Sequence, residues 1–108
     1  MIRREPYQDL ENNGRWTLDV DGRDVVVYVA NVWQWLFDNA TTAVSFEVAP
    51  TAVEVVEKGE PQGPLNALLP VMLRVLFATG VEPNAAFLVT TEDGQEFVKT
   101  MWFKQVQN

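Results

Sequence analysis

Cysteine and histidine are both absent from this chain of 108 residues. Without thiols there is no disulfide framework and no thiolate nucleophile, and without either side chain the usual zinc sites are excluded. The lack of histidine also removes the side chain that most often acts as a general base near neutral pH. Any chemistry would have to come from carboxylates, hydroxyls, lysine or arginine.

Long apolar runs are absent too. The longest, residues 65–78, is interrupted by Asn66, Pro70 and Arg74, and as a helix it would be about 21 Å long. A membrane-spanning helix needs about 20 consecutive apolar residues. Residues 1–6 are not followed by the apolar stretch of a secretory signal. We therefore expect a cytoplasmic protein that does not enter a membrane.

Basic residues are few: eight Lys and Arg stand against 15 Asp and Glu, which gives a net charge of −7. Proteins that bind nucleic acid directly hold its phosphates with clustered Lys and Arg, and this sequence has no such cluster. We therefore expect the partner to be a larger protein with a basic surface. We expect no direct contact with nucleic acid.

The chain has enough apolar material for one domain. Its length is typical of a single domain, and 47% of its residues are hydrophobic, with four Trp and six Phe among the aromatics. Such a chain can bury a core without disulfides or metals. We expect one α+β domain over residues 1–108, in which residues 1–9 form an extended or mobile N-terminal segment.

Three β-hairpins are predicted from turn residues that are flanked by alternating apolar and polar positions. They are residues 16–29 with a turn at Asp21-Gly22, residues 44–55 with a turn at Pro50-Thr51, and residues 87–106 with a turn at 92–95. The last strand, from residue 97 onward, is apolar on both faces. This pattern predicts a central position in the sheet.

Two helices are predicted. One covers residues 70–78, which are mostly apolar on all sides and are followed by Gly80, a suitable C-terminal cap. The other covers residues 31–39 and begins at Asn31 as an N-cap. A strand is the alternative there, but it would merge with the preceding strand and exceed the usual length of about five or six residues. The predicted fold is α+β, an antiparallel sheet of about six strands with two helices, in the order ββαββαββ.

Four carboxylates are the first candidates for a functional site. The register of the second predicted hairpin places Glu47 opposite Glu54, and Glu57 and Glu60 follow nearby. Like charges opposite each other destabilise a hairpin mildly, so their presence suggests a functional acidic surface. The competing explanation is that negative charge only keeps the protein soluble.

Catalysis and metal binding are not expected. Paired carboxylates catalyse reactions in a cleft where one of them has a raised pKa, whereas Glu47 and Glu54 are expected on a solvent face. The only serine, Ser45, has no base to activate it. Residues 19–24 contain alternating carboxylates but lack the spacing of a calcium loop. We therefore expect a non-enzymatic protein without a metal ion or cofactor.

Two tryptophans are the second candidates. Trp33 and Trp35 are two positions apart, so a helix directs them to different faces and leaves one exposed or at an interface. Trp is among the residues that contribute most to binding energy in protein interfaces. The predicted helix at 71–78, apolar on all sides, is a further candidate surface for self-association.

The favoured function is a small acidic inhibitor that binds a larger protein and blocks its basic, nucleic-acid-binding site. Immunity proteins, antitoxins and phage anti-defence proteins such as anti-CRISPRs share this size and charge. The predicted partner-binding residues are Glu47, Glu54, Glu57, Glu60, Trp33 and Trp35. Two alternatives stay open: a homodimer or larger assembly formed through the tryptophans or the 71–78 helix, and a domain that binds a small ligand in an aromatic-lined pocket.

Overall fold

Strands dominate the structure. The computed structural model describes residues 6–20, 25–76 and 80–105. The strands of these ranges are β1 (Tyr7–Asp9), β2 (Arg15–Val20), β3 (Val25–Asn31), β4 (Ala43–Thr51), β5 (Val53–Lys58), β6 (Leu68–Val75), β7 (Asn84–Thr91) and β8 (Glu96–Gln105). The other elements described are the helix α1 (Trp33–Asp38) and two short 3-10 turns, Leu10–Asn12 and Pro64–Asn66.

The strands form two sheets that enclose a common apolar core. The large sheet has five strands in the order β1-β2-β8-β7-β4, and the small sheet has three in the order β3-β6-β5. Paired strands are antiparallel except β2 and β8, which are parallel. Between the sheets, Tyr28 on β3 meets Phe87 on β7 edge to face, with 5.9 Å between ring centroids. The predicted arrangement of one sheet with two helices in the order ββαββαββ is therefore wrong.

Two of the three predicted hairpins are also wrong. Strands β2 and β3 lie in different sheets, and the Asp21-Gly22 turn between them lies outside the described residues. Strand β4 pairs with β7, and β5 pairs with β6. Between β4 and β5, Ala52 adopts a left-handed conformation with φ of 53° and the chain passes from one sheet to the other. Pro50 and Thr51 belong to β4 and do not form a hairpin turn.

The third predicted hairpin is confirmed. Strands β7 and β8 pair antiparallel across the turn at residues 92–95. Strand β8 is the middle strand of the large sheet, as its two apolar faces predict. Residues 7–9 of the expected N-terminal segment form β1, which pairs with β2 at the edge of the same sheet.

The predicted helix at residues 70–78 is wrong, because residues 68–75 form the strand β6. Its burial alternates strictly: Leu69, Val71, Leu73 and Val75 are buried, while Leu68, Pro70, Met72 and Arg74 are half-buried. An apolar run of this length fits a helix or a strand when it is read locally. Pairing with β3 on one side and β5 on the other makes it the central strand of the small sheet. Residues 77 and 78 of the predicted helix lie outside the described residues.

Pro70 can occupy a central strand because of where its backbone points. The carbonyl oxygen of Pro70 accepts a hydrogen bond from the Gly59 N–H at 3.0 Å, just beyond the last residue of β5. Because the N–H and C=O of one residue in an antiparallel strand point to the same side, the missing N–H of Pro70 also faces Gly59, so proline costs one hydrogen bond just beyond the end of β5 and none within it. A Cβ atom at Gly59 would lie 2.8 Å from Cγ of Pro70, so only glycine allows this close approach.

A helix is present in the predicted range 31–39, but it is shorter than predicted: α1 covers Trp33–Asp38, Val32 is its N-cap, and Asn31, the predicted cap, ends β3. The Asn31 side-chain oxygen accepts a hydrogen bond from the Trp33 N–H at 3.0 Å, which satisfies one of the free donors of the first turn. Leu36 is fully buried and anchors the helix in the core. Within the described ranges, no helix has the length and apolar character needed to cross a membrane.

The turn between β7 and β8 is tied to the segment after α1 through Asp93. The carboxylate accepts hydrogen bonds from the hydroxyls of Thr91 and Thr41 and from the side-chain amide of Gln95. Both threonines are buried. Because these donors stabilise the charged form, they lower the pKa of Asp93 from 3.8 to about 2, with Thr91 as the largest cause.

The lowered pKa of Asp93 predicts a pH-dependent contribution to stability. Since the pKa is depressed in the folded state, the contribution is complete above about pH 4 and is lost as the pH falls towards about 2. The variant Asp93→Asn should be less stable than the wild type at pH 7, and the difference should shrink over that acidic range. Urea unfolding at pH 7 and at several points below pH 4 measures it. Glu96→Gln is the control, since it removes a neighbouring exposed carboxylate, and a difference for Asp93→Asn that does not change with pH would contradict the prediction.

Candidate binding groove

The four predicted glutamates do not form the expected pair. Glu47 lies on β4 in the large sheet and Glu54 on β5 in the small sheet, so their predicted pairing is wrong. Glu47 accepts a hydrogen bond from the Lys58 ammonium at 3.1 Å. Glu54 is 3.3 Å from the Arg74 guanidinium. Each carboxylate therefore has a cation as its neighbour.

The edge formed by β4 and β5 is consequently of mixed charge. Glu57 and Glu60 are exposed near it. Lys58 also donates to the backbone carbonyl of Phe46 at 2.7 Å, which ties the two sheets together at this edge. Exposed ion pairs of this kind add about 0–1 kcal/mol to stability. The cations Lys58 and Arg74 offset part of the negative charge that the sequence concentrates here.

The two predicted tryptophans lie in different surroundings. Trp33 is 39% exposed and stacks on Phe37, one turn further along α1, with 4.7 Å between ring centroids. Trp35 is half-buried and stacks on Phe97 of β8 at 3.8 Å, with 15° between the ring planes. Trp35 therefore attaches α1 to the large sheet, and Trp33 belongs to the surface.

A groove runs along the free edge of the small sheet beside β3. The small sheet is narrower than the large one, and β3 is its edge strand. Trp16, on the same side of β2 as the buried Leu18 and Val20, is 41% exposed there. Two adjoining cavities of about 380 and 500 Å³ share Trp16, Asn31, Gln34 and Lys99 in their walls. We call these two cavities together the β3 groove.

The β3 groove has aromatic walls. Trp35 and Phe97 line the first cavity, and Trp33, Tyr28 and Met101 line the second. Burial raises the pKa of the Tyr28 hydroxyl to about 12, so this hydroxyl keeps its proton well above neutral pH. The groove thus offers broad apolar surfaces with a few polar groups, as ligand sites commonly do.

Lys99 provides the charge at the centre of the groove. Its ammonium donates to the Asn31 carbonyl at 2.8 Å and lies 5.6 Å from the centroid of the Trp16 ring. It is half-buried, and burial lowers its pKa. Among the described residues no carboxylate forms an ion pair with it, whereas Arg15, Lys58 and Arg74 each have one. An ammonium has three N–H donors, so Lys99 can still donate to a ligand.

Trp16 and Lys99 were not among the residues predicted from the sequence. One signal could have found Lys99, because it lies in register with Phe97, Met101 and Phe103 at every second position of β8. A lysine on the apolar face of a strand places a charge beside the core. Lysine side chains are rarely buried unless they are paired with another group. No comparable signal identifies Trp16, since only the packing of the two sheets leaves it uncovered.

The side chains that line the groove define what it can offer to a ligand. In the part of the chain that the structure describes, no group of three or more acidic side chains is placed to hold a metal ion. The groups that converge are stacking faces, one ammonium and side-chain amides. Comparison of the chain with family models, with curated proteins and with solved structures finds no match.

Proposed function

We propose that this protein is a non-enzymatic binding protein whose site is the β3 groove, and that its ligand carries an anionic group that reaches Lys99. One observation supports this proposal above the others. In a chain with a net charge of −7, a half-buried ammonium has no ion-pair partner among the described carboxylates. Within the described residues, its hydrogen bond goes to the backbone carbonyl of Asn31.

The free energy of binding at this position favours an anion. A carboxylate beside Lys99 would form a charge-assisted hydrogen bond, which is about twice as strong as a neutral one. Partial burial reduces screening by water and salt, so the attraction is stronger than at an exposed lysine. The faces of Trp16 and Trp33 would cover the apolar body of the same ligand. Cavities of about 300–1,000 Å³ are the usual size for such sites.

The acidic inhibitor remains a prediction with less support. Its surface would be Glu47, Glu54, Glu57 and Glu60, and the first two already have cations as neighbours. Trp33 belongs to both hypotheses. It lines the β3 groove, and it is an exposed residue that was also predicted to bind the partner of an inhibitor. Charge reversal of Glu57 and Glu60 to Lys should leave binding in the groove unchanged, whereas it should weaken an interaction made by the acidic edge.

Matched small probes test the proposed site. Phenylacetate and phenylacetamide have the same aromatic body and differ in charge, and each is titrated while the indole N–H signals of the tryptophans are followed by NMR. We expect phenylacetate to shift the Trp16 and Trp35 signals and phenylacetamide to bind about tenfold more weakly, which corresponds to about 1.4 kcal/mol.

The variant Lys99→Met should lose the preference for phenylacetate while it keeps the apolar stem of the side chain. Lys104→Met is the control, because Lys104 is an exposed lysine on the same strand. Equal responses to the two probes, or a preference that survives Lys99→Met, would show that Lys99 does not receive the anion.

A further inference from the structure

We infer that the ligand of the β3 groove is an extended peptide segment of another protein, which pairs with β3 as a fourth strand of the small sheet and places an acidic side chain against Lys99. This inference rests on the proposed function and names the chemical class of the partner. It joins two features of the fold, the free backbone of an edge strand and the ammonium at its end.

The free backbone of β3 follows from the hydrogen bonds of the small sheet. Along a strand, successive residues direct their N–H and C=O groups to opposite sides. The bond from Gly59 to the Pro70 carbonyl shows that Pro70 faces β5, so its neighbours Leu69 and Val71 face β3. Their partners Ala30 and Tyr28 use the inner side of β3. The N–H and C=O groups of the alternate residues therefore point to the free edge. These residues are Val25, Val27, Val29 and Asn31.

The position of Lys99 agrees with this assignment. Its ammonium reaches the Asn31 carbonyl at 2.8 Å, which places that carbonyl on the free side of β3. A peptide strand that continues the small sheet would pass directly in front of the valine amides and then meet the ammonium. Strand addition of this kind derives affinity from main-chain hydrogen bonds and specificity from side-chain pockets.

The edge of β3 lacks the features that usually keep an edge strand from pairing. Natural edges carry charged side chains, prolines or bulges, or they are short. Strand β3 has seven residues, VVVYVAN, with no charge and no proline, and its pairing with β6 is regular. Val27 is 67% exposed. Among the described residues no strand pairs with this edge, and the one hydrogen bond recorded on its free side is that of Lys99 to the Asn31 carbonyl.

A second copy of this chain fits the edge less well than a foreign peptide. Antiparallel pairing of two β3 strands would satisfy the backbone, but β3 contains no acidic residue, so the paired strand itself would not supply a carboxylate to Lys99. Two chains with a net charge of −7 each also repel one another. The same repulsion indicates that the peptide is mainly apolar and carries one carboxylate.

Removing one backbone donor tests the strand pairing. The N–H of Val27 points to the free edge, so Val27→Pro removes that donor without breaking a bond to β6, and proline is tolerated at such positions. Val27→Ala is the matched control, because it shortens the same side chain and keeps the donor. If Val27→Pro fails to fold, peptides that are N-methylated at alternate amides give the same test on the wild-type protein.

The probe is a library of random peptides of about ten residues, selected on the intact protein and then measured as synthetic peptides by calorimetry. We expect enriched peptides to contain a single Asp or Glu among apolar residues. Their affinity should fall about tenfold or more in Val27→Pro and in Lys99→Met, and it should stay within about twofold in Val27→Ala. Amidation of the peptide C-terminus should leave affinity unchanged, since the carboxylate comes from a side chain.

The opposite results overturn the inference in distinguishable ways. Affinity that is unaffected by Val27→Pro and by N-methylation would exclude strand pairing, and loss of affinity on amidation would assign the carboxylate to the peptide terminus. A dimer mass in light scattering that reverts to the monomer mass in Val27→Pro would show that a second copy occupies the edge. If no peptide is enriched while phenylacetate still binds in a Lys99-dependent manner, the strand inference fails and the proposed function stands.

Discussion

Replacement of Phe87 by alanine is expected to destabilise the protein by about 3–5 kcal/mol, the usual cost of removing a buried aromatic side chain. Phe87 is fully buried on β7. Its ring meets Tyr28 of the small sheet at 5.9 Å and Phe46 of the large sheet at 6.1 Å, so the cavity would open between the sheets. Because domains are stable by only about 5–15 kcal/mol, the loss should be large in urea unfolding.

The neighbouring residue provides the control for Phe87. Leu88 points to the opposite face of β7 and is 43% exposed, so Leu88→Ala should cost less than about 1 kcal/mol. If Phe87→Ala does not fold, Phe87→Leu gives a smaller loss in the same direction. Similar losses for Leu88→Ala and the Phe87 variants would be inconsistent with a core between two sheets.

Replacement of Trp35 by alanine is the second large effect, with an expected loss of about 3 kcal/mol. The change removes the stack of Trp35 on Phe97 and with it the contact that attaches α1 to β8. Since Trp35 and Phe97 line the first cavity of the groove, binding of phenylacetate should weaken in the same variant. Urea unfolding and the NMR titration measure the two effects.

The variant Trp33→Ala shows how much an exposed tryptophan of α1 contributes to stability, for comparison with the half-buried Trp35. Among the described rings Trp33 stacks on Phe37, and both rings are exposed, so Trp33→Ala should cost about 0.5–1.5 kcal/mol, the value of an aromatic pair. A loss for Trp33→Ala as large as that for Trp35→Ala would contradict the different surroundings of the two rings.

The proposed binding site is the β3 groove and not the predicted glutamate surface, and the two lie in different parts of the molecule. The sequence places Glu47 and Glu54 together only if β4 and β5 form a hairpin, and they do not. The groove, in contrast, combines residues from β2, β3, α1 and β8. Lys99 and Asn31, which are hydrogen-bonded, are 68 positions apart in the chain. Sequence patterns predict how residues within one helix or strand are arranged. They do not predict a contact between two residues this far apart in the chain.

The sequence by itself determined those elements whose signals are local. The β7–β8 hairpin follows from its turn and from strands that alternate, and the presence of α1 follows from the limit on strand length and from the Asn31 side chain, which accepts a hydrogen bond from the Trp33 N–H although Val32 is the N-cap. In both elements the deciding interactions lie within a few residues of one another, where propensity and hydrogen bonding act directly. The absence of Cys and His is also a property of the sequence alone, and it excludes thiol and imidazole chemistry in any fold.

Only the tertiary structure decided the nature of β6 and the route of the chain from β4 to β5. An apolar run such as residues 68–75 can form a helix or a strand, and pairing with β3 and β5 on its two sides makes it a strand. At Pro50 and Thr51, pairing with Ala85 and Asn84 keeps the chain extended where a turn was expected. The β3 groove exists because the small sheet is narrower than the large one. These outcomes depend on burial and pairing between distant segments, which override local preference.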